Sequence, residues 1–155
     1  MTYLRNELEG TLPTDASQRI ERNELMRLVF EAVHETKWPS ALAPIGDATP
    51  EPVLRTVLTY CYACSIFSSA EIEAAAKHDD AVRYLCAFDF PKFEEIRRFR
   101  RRNIPHLRES VARVLYAIWN SLNADGASIS FLAFVAEADH RLACAVEADS
   151  AAMDD

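Results

Sequence analysis

The residues of this chain with chemical potential are Cys61-Tyr-Ala-Cys64, four histidines, the pair Asp125-Gly126, and the five arginines that crowd the stretch Arg97 to Arg102. The cysteine spacing suits a dithiol redox centre. It falls late in an apolar stretch, however, and not at a helix amino terminus, where the dipole would lower a thiol pKa. Cys61, Cys64, Cys86 and Cys144 are therefore expected to stay thiols and to pack as small hydrophobes. His78, Cys86, His106 and Cys144 offer no paired ligand spacing, so neither a metal site nor a cofactor is expected. His34 and His140 stand on predicted helices with no nucleophile motif beside them and read as surface or boundary residues. Asp125-Gly126 reads as a turn. No residue set supports an enzyme.

The arginine run is left. Wound at about 100° per residue, Phe93, Ile96 and Phe99 share one arc, while Arg97, Arg98, Arg101 and Arg102 share the opposite one. Four outward guanidinium groups can displace condensed counterions and grip phosphate oxygens with paired donors. Arg100 lands on the apolar edge, where its stem can pack and its head must find a carboxylate or a carbonyl. The competing expectation is that Glu94 and Glu95 merely lace a solvated helix with ion pairs to Arg97 and Arg98.

Helices must position these groups. The chain has 155 residues, half of them apolar and only three of them glycine, which suits one packed helical domain, 1–155. Leu25, Leu28, Val29 and Val33 recur at helical spacing between Glu21 and Thr36, Pro39 and Pro44 end that helix, and Trp38 is expected to anchor the linker. A second helix starts around Pro50 and runs through Val53, Leu54, Val57, Leu58, Tyr60 and Cys61, apolar almost all round and hence central. Ser68-Ser69-Ala70-Glu71 has the form of a capping box opening a short third helix, Ala70 to Lys77. Asp79 or Asp80 caps a fourth, with Val82, Leu85 and Cys86 inward, and the pair permits a helix-turn-helix.

Pro91 opens a fifth helix that reaches Asn103, and Pro105 starts a sixth on the stripe Leu107, Val111, Val114, Leu115, Ile118 and Leu122. A last helix runs from about Ser130 to Glu147 and gives way to an acidic, frayed tail, 149–155. The expected fold is all-α, a single compact domain of about six to seven helices with a helix-turn-helix-like centre.

Read in order, Pro52-Val-Leu-Arg-Thr-Val-Leu-Thr-Tyr-Cys-Tyr, Ile66-Phe-Ser-Ser-Ala-Glu-Ile-Glu, Ala81-Val-Arg-Tyr-Leu-Cys, Pro91 and Ile96-Arg-Arg-Phe-Arg-Arg-Arg form a string with a known counterpart. It resembles the helical amino-terminal domain of bacterial insertion-sequence transposases of the DDE type. The resemblance covers 50–108 and extends to 122, and its specificity lies in several motifs occurring in order. It implies a DNA-facing role for Arg97, Arg98, Arg101 and Arg102, with Lys92 at the start of their helix, and it implies that Ser68 and Ser69 open a neighbouring helix whose amides could meet phosphate. Family members usually carry Arg-Gly where this chain has Cys64-Ser65, and basic residues where it has Ala70 and Ala74. Several phosphate contacts of the family are thus missing. The strand-rich nuclease domain, with three carboxylates on two metal ions, does not fit after residue 122, so binding without cutting is expected.

Charge agrees with a localised surface. The formal net charge of −7 argues against a protein coated all over by nucleic acid. Lys and Arg against Asp and Glu number 5 to 8 over residues 1–50, 10 to 9 over 51–110, and 2 to 7 over 111–155. The expected partner is double-stranded DNA, with a second copy or a full-length transposase as protein partner and no membrane. The start, Met1-Thr-Tyr-Leu-Arg-Asn-Glu, has neither the basic beginning nor the apolar run of a secretory signal, which predicts a cytoplasmic protein. A helical protein-interaction module, docking its arginine face on an acidic partner, is the alternative.

Overall fold

Apolar spacing accounts for the first helix, α1 (Arg22–Glu35), which buries Leu25, Leu28, Val29 and Ala32. The computed structural model describes residues 20–41, 46, 48–87, 89–122 and 129–154. Pro44 and Asp125-Gly126, for which a helix stop and a turn were expected, lie outside them. Thr36 closes α1 by donating its hydroxyl to the Ala32 carbonyl at 2.8 Å. Trp38 then folds back, its indole N–H on the Val33 carbonyl at 2.9 Å, and its ring lies 6.2 Å from that of Phe99. The anchoring role expected of Trp38 is thus explicit.

Helix α2 (Glu51–Ala63) carries Pro52 in its first turn, where the missing N–H costs nothing. It buries an unbroken run from Thr56 to Ala63 and packs against α1 and three later helices. α3 (Ser69–His78) is capped by Ser68, whose hydroxyl accepts the Glu71 amide at 3.0 Å. α4 (Asp80–Cys86) is capped by Asp79, whose carboxylate accepts the amides of Ala81 and Val82. A single residue, Asp79, joins α3 to α4, which makes a tighter corner than the three- or four-residue turn of a helix-turn-helix.

α5 (Phe93–Arg102) and α6 (Ile104–Leu122) meet at Asn103, whose side-chain amide donates to the Phe99 carbonyl at 2.9 Å. α6 buries Leu107, Val111, Val114, Leu115 and Ile118 as expected, and a buried Thr59–Ser110 hydroxyl pair at 2.9 Å ties it to α2. α7 (Phe131–Asp154) covers α6 and reaches α3. Two groups result, α1, α6 and α7 on one side and α3, α4 and α5 on the other, with α2 packed against members of both. Among the described residues there are seven helices and no strand, and no helix is long and apolar enough to cross a membrane.

The expected end of the last helix is also corrected. It does not stop at Glu147, because α7 continues to Asp154 and Asp149 is only 6% exposed. The physical reason is a set of partners that the sequence did not disclose, described next.

Candidate nucleic-acid interface

Ile96, Phe99 and Arg100 form the buried side of α5, and everything else about the arginine helix follows from how the other arginines sit around that axis. At its amino end the backbone is held by carboxylates from elsewhere. Glu73 of α3 accepts the Phe93 amide at 2.5 Å, and Glu95 accepts the Thr49 amide at 2.7 Å and the Lys92 amide at 3.4 Å. Negative charge at a helix amino terminus is favourable. Glu95 is therefore spent on backbone N–H groups, and among the described residues neither Glu94 nor Glu95 pairs with Arg97 or Arg98. The expected lacing of the helix by its own glutamates is not how it is built.

Arg100 lies where the winding placed it, on the apolar side, with 5% exposure. Its guanidinium donates to the Asp149 carboxylate, to the Ser69 hydroxyl at 3.2 Å and to the Tyr62 hydroxyl at 3.4 Å. Asp149 in turn accepts the Ser69 hydroxyl at 2.6 Å and the Ser69 amide at 2.7 Å. Burial by itself would raise the Asp149 carboxyl, but the Ser69 hydroxyl and amide and the Arg100 guanidinium outweigh it and hold the group below its usual 3.8. Burial likewise pushes the Tyr62 phenol up to about 12 against the pull of Arg100, which keeps Tyr62 a neutral hydroxyl.

This cluster decides the fate of the other expected contacts. Ser69 is 1% exposed, and its amide and hydroxyl are both given to Asp149. The place a phosphate would take at the α3 amino terminus is filled by an internal carboxylate, so Ser69 does not form part of an exposed surface. Ser68 is half-buried and occupied as the cap. Arg97 leans from the flank of α5 toward the same carboxylate, its Nε 3.9 Å from Asp149, and its side chain is 24% exposed. Arg102 leans to the other flank and pairs with Glu51 in the first turn of α2. Arg98 and Arg101 point away from the core and are exposed, and among the described residues neither has an ion pair or hydrogen bond with another side chain. Lys92 is exposed at the start of the helix. The four arginines expected to face outward therefore divide into two tethered flanks and two outer residues without an ion pair among the described residues.

A second buried arginine was missed by sequence reasoning. Arg141 of α7 is 4% exposed and donates to the Tyr62 and Ala63 carbonyls at 2.8 and 3.0 Å, to the Ser65 hydroxyl at 3.3 Å and to Glu137 at 3.1 Å. A cation at the carboxyl end of α2 complements the dipole there, as the Asp149 anion does at the amino end of α3. Arg141 and Asp149 lie two turns apart on α7, so this helix clamps the 64–68 corner from both ends. The available signal was the lack of any glycine or proline from Ser130 to Asp155, which allows one uninterrupted helix.

The cysteines behave as expected of thiols. Among the described residues none is in a disulfide, and burial pushes the Cys61 thiol well above its usual value. His34 is exposed, and His140 is half-buried against Cys144 at 3.5 Å. No group of three or more metal-ligating side chains occurs among the described residues. No protein-family model matches the chain, and neither the curated proteins nor the solved structures contain a significant match to it.

Proposed function

We propose that this chain is a helical DNA-binding module of the transposase end-binding kind, which meets duplex phosphates through the outer face of α5 and does not cut. The observation that carries this reading is the pair Arg98 and Arg101, exposed and without a counter-charge among the described residues. An always-charged guanidinium left unneutralised on a rigid helix favours a ligand with anionic oxygens. Lys92 adds a cation at the start of the same helix. Ser65 lends support to the family resemblance, since φ of 63° places it in the left-handed region, at the position where family members usually carry glycine. In this reading the module acts in the cytoplasm and competes with a full-length transposase for element ends.

The test is duplex binding at several salt concentrations, using terminal inverted repeats and mixed-sequence DNA. Arg98 and Arg101 together contribute roughly −1.8 to the log–log salt slope, against roughly −3.6 if all four outward arginines reached phosphates. Binding without salt dependence would contradict the proposal, and metal-dependent nicking by the pure protein would contradict its non-cutting part.

A second reading is favoured by a different feature. Phe90 and Phe93, 40% and 42% exposed, flank a cleft between the start of α5 and Lys77 of α3 and offer apolar anchors beside the arginines. A protein-interaction module would dock there on an acidic partner. Sizing by light scattering with Arg98→Glu and Arg101→Glu separates the two: lost DNA binding at unchanged size supports the first reading, and a lost protein contact supports the second.

A further inference from the structure

Arg55 of α2 is the cation least accounted for by its surroundings. It is half-buried, and among the described residues no carboxylate pairs with it. Its Nη2 donates to the Pro39 carbonyl at 2.8 Å, its guanidinium lies 5.3 Å from the centre of the Trp38 ring, and its Nε–H is shut from solvent with no acceptor among the described residues. Burial pulls its pKa down, with no opposing charge to restore it. A charge partly withdrawn from water without a counter-charge carries a cost, and so does an orphaned N–H donor.

The guanidinium stands at the wall of an open cleft of about 410 Å³ between α1 and α2, lined also by Phe30, His34, Trp38 and Thr56. No acidic side chain lines this cleft among the described residues. The nearest glutamates of α1 are held elsewhere, Glu31 by Arg27 and Glu35 by Arg113. The cleft borders the arginine helix, because Trp38 touches Phe99 of α5, and Glu51, one turn before Arg55, holds Arg102.

We infer that this cleft binds a phosphate group, with Arg55 as its principal ligand and the Trp38 and Phe30 rings as its walls. A guanidinium fork is matched to phosphate oxygens, and an anion here would supply the missing counter-charge. The phosphate could belong to a DNA backbone, which rests on the reading of α5 above, or to a free anion, which does not.

The experiment follows the Trp38 indole N–H resonance, present in the parent and in every Arg55 variant, by NMR while inorganic phosphate, and separately a 20-base-pair duplex, is added at constant ionic strength held by chloride. The expected result is a saturable shift of this resonance, with affinity lowered roughly tenfold or more in Arg55→Gln. Arg55→Lys, which keeps the charge but loses the fork, should fall between the two. A shift with duplex at concentrations where inorganic phosphate gives none identifies the backbone as source; a shift with phosphate alone identifies a free anion and stands even if α5 binds no DNA. If neither probe moves the resonance beyond the chloride control, or if Arg55→Gln binds as the parent does, the inference is overturned.

Discussion

Arg100 and Arg101 are neighbours in the chain and opposites in their physics. Arg100 is 5% exposed and shares its guanidinium among Asp149, Ser69 and Tyr62, whereas Arg101 stands in solvent with no partner among the described residues. The inner arginines, Arg100 and Arg141, bind helices to one another. The outer ones, Arg98 and Arg101, make no side-chain ion pair or hydrogen bond among the described residues. A run of five like charges is thus two devices on one helix, and the number of arginines matters less than the partner each one finds.

The largest effect should come from breaking the inner device. Removing one member of a buried ion pair leaves the other charged and unmatched, so Arg100→Ala or Asp149→Ala is expected to lower stability by about 3–5 kcal/mol in urea titrations. The double replacement Arg100→Met with Asp149→Leu should recover much of that loss. Near-zero cost for either single change would erase the distinction between inner and outer arginines. Arg141→Ala comes next, at about 2 kcal/mol, because it strips a charge-assisted donor from the α2 carboxyl end.

Acid should sharpen the same contrast. The Asp149 carboxyl titrates lower in the folded chain than its ordinary 3.8, so the unfolded state binds more protons across that window. Its stabilising contribution is complete above about pH 4 and fades as pH falls through the folded value. Asp149→Asn, compared with the parent in thermal melts between about pH 2 and 6, should show a shallower loss on the acid side. Equal slopes would mean that Asp149 is not held as described.

The smallest expected effect lies on the flank. Glu51→Gln releases Arg102 from its internal partner, and the salt slope for duplex binding should steepen by about 0.9 with little change in overall fold. An unchanged slope would confine the DNA surface to Arg98 and Arg101.

Much of this arrangement was legible from spacing. Apolar periodicity located the helices, Ser68 and the pair Asp79-Asp80 announced two caps, of which Asp79 proved to be the second, and the winding of α5 sent Arg100 inward. These are local facts, decided within a turn or two. What remained hidden were pairings across long separations, Arg100 with Asp149, Arg102 with Glu51, and Arg141 with the end of α2. An acidic residue near a chain end looks the same whether it is solvated or buried until the helix carrying it is docked. Ser69 shows the same limit: its position at a helix start suggested an anion site, and the anion is already built into the protein. The outward exposure of Arg98 and Arg101 was legible from the helical period, but the same winding sent Arg97 and Arg102 outward too, and only their partners Asp149 and Glu51 set them apart.

Whether Arg98 and Arg101 meet DNA, as proposed, is decided by the salt dependence of duplex binding by the parent and by the double variant Arg98→Glu, Arg101→Glu. The two arginines together are expected to contribute roughly −1.8 to the parent's log–log slope and the variant to lose that contribution, while its melting temperature stays close to the parent's. A parent that shows no salt-dependent binding, or a variant that binds DNA as well as the parent does, would contradict the proposal.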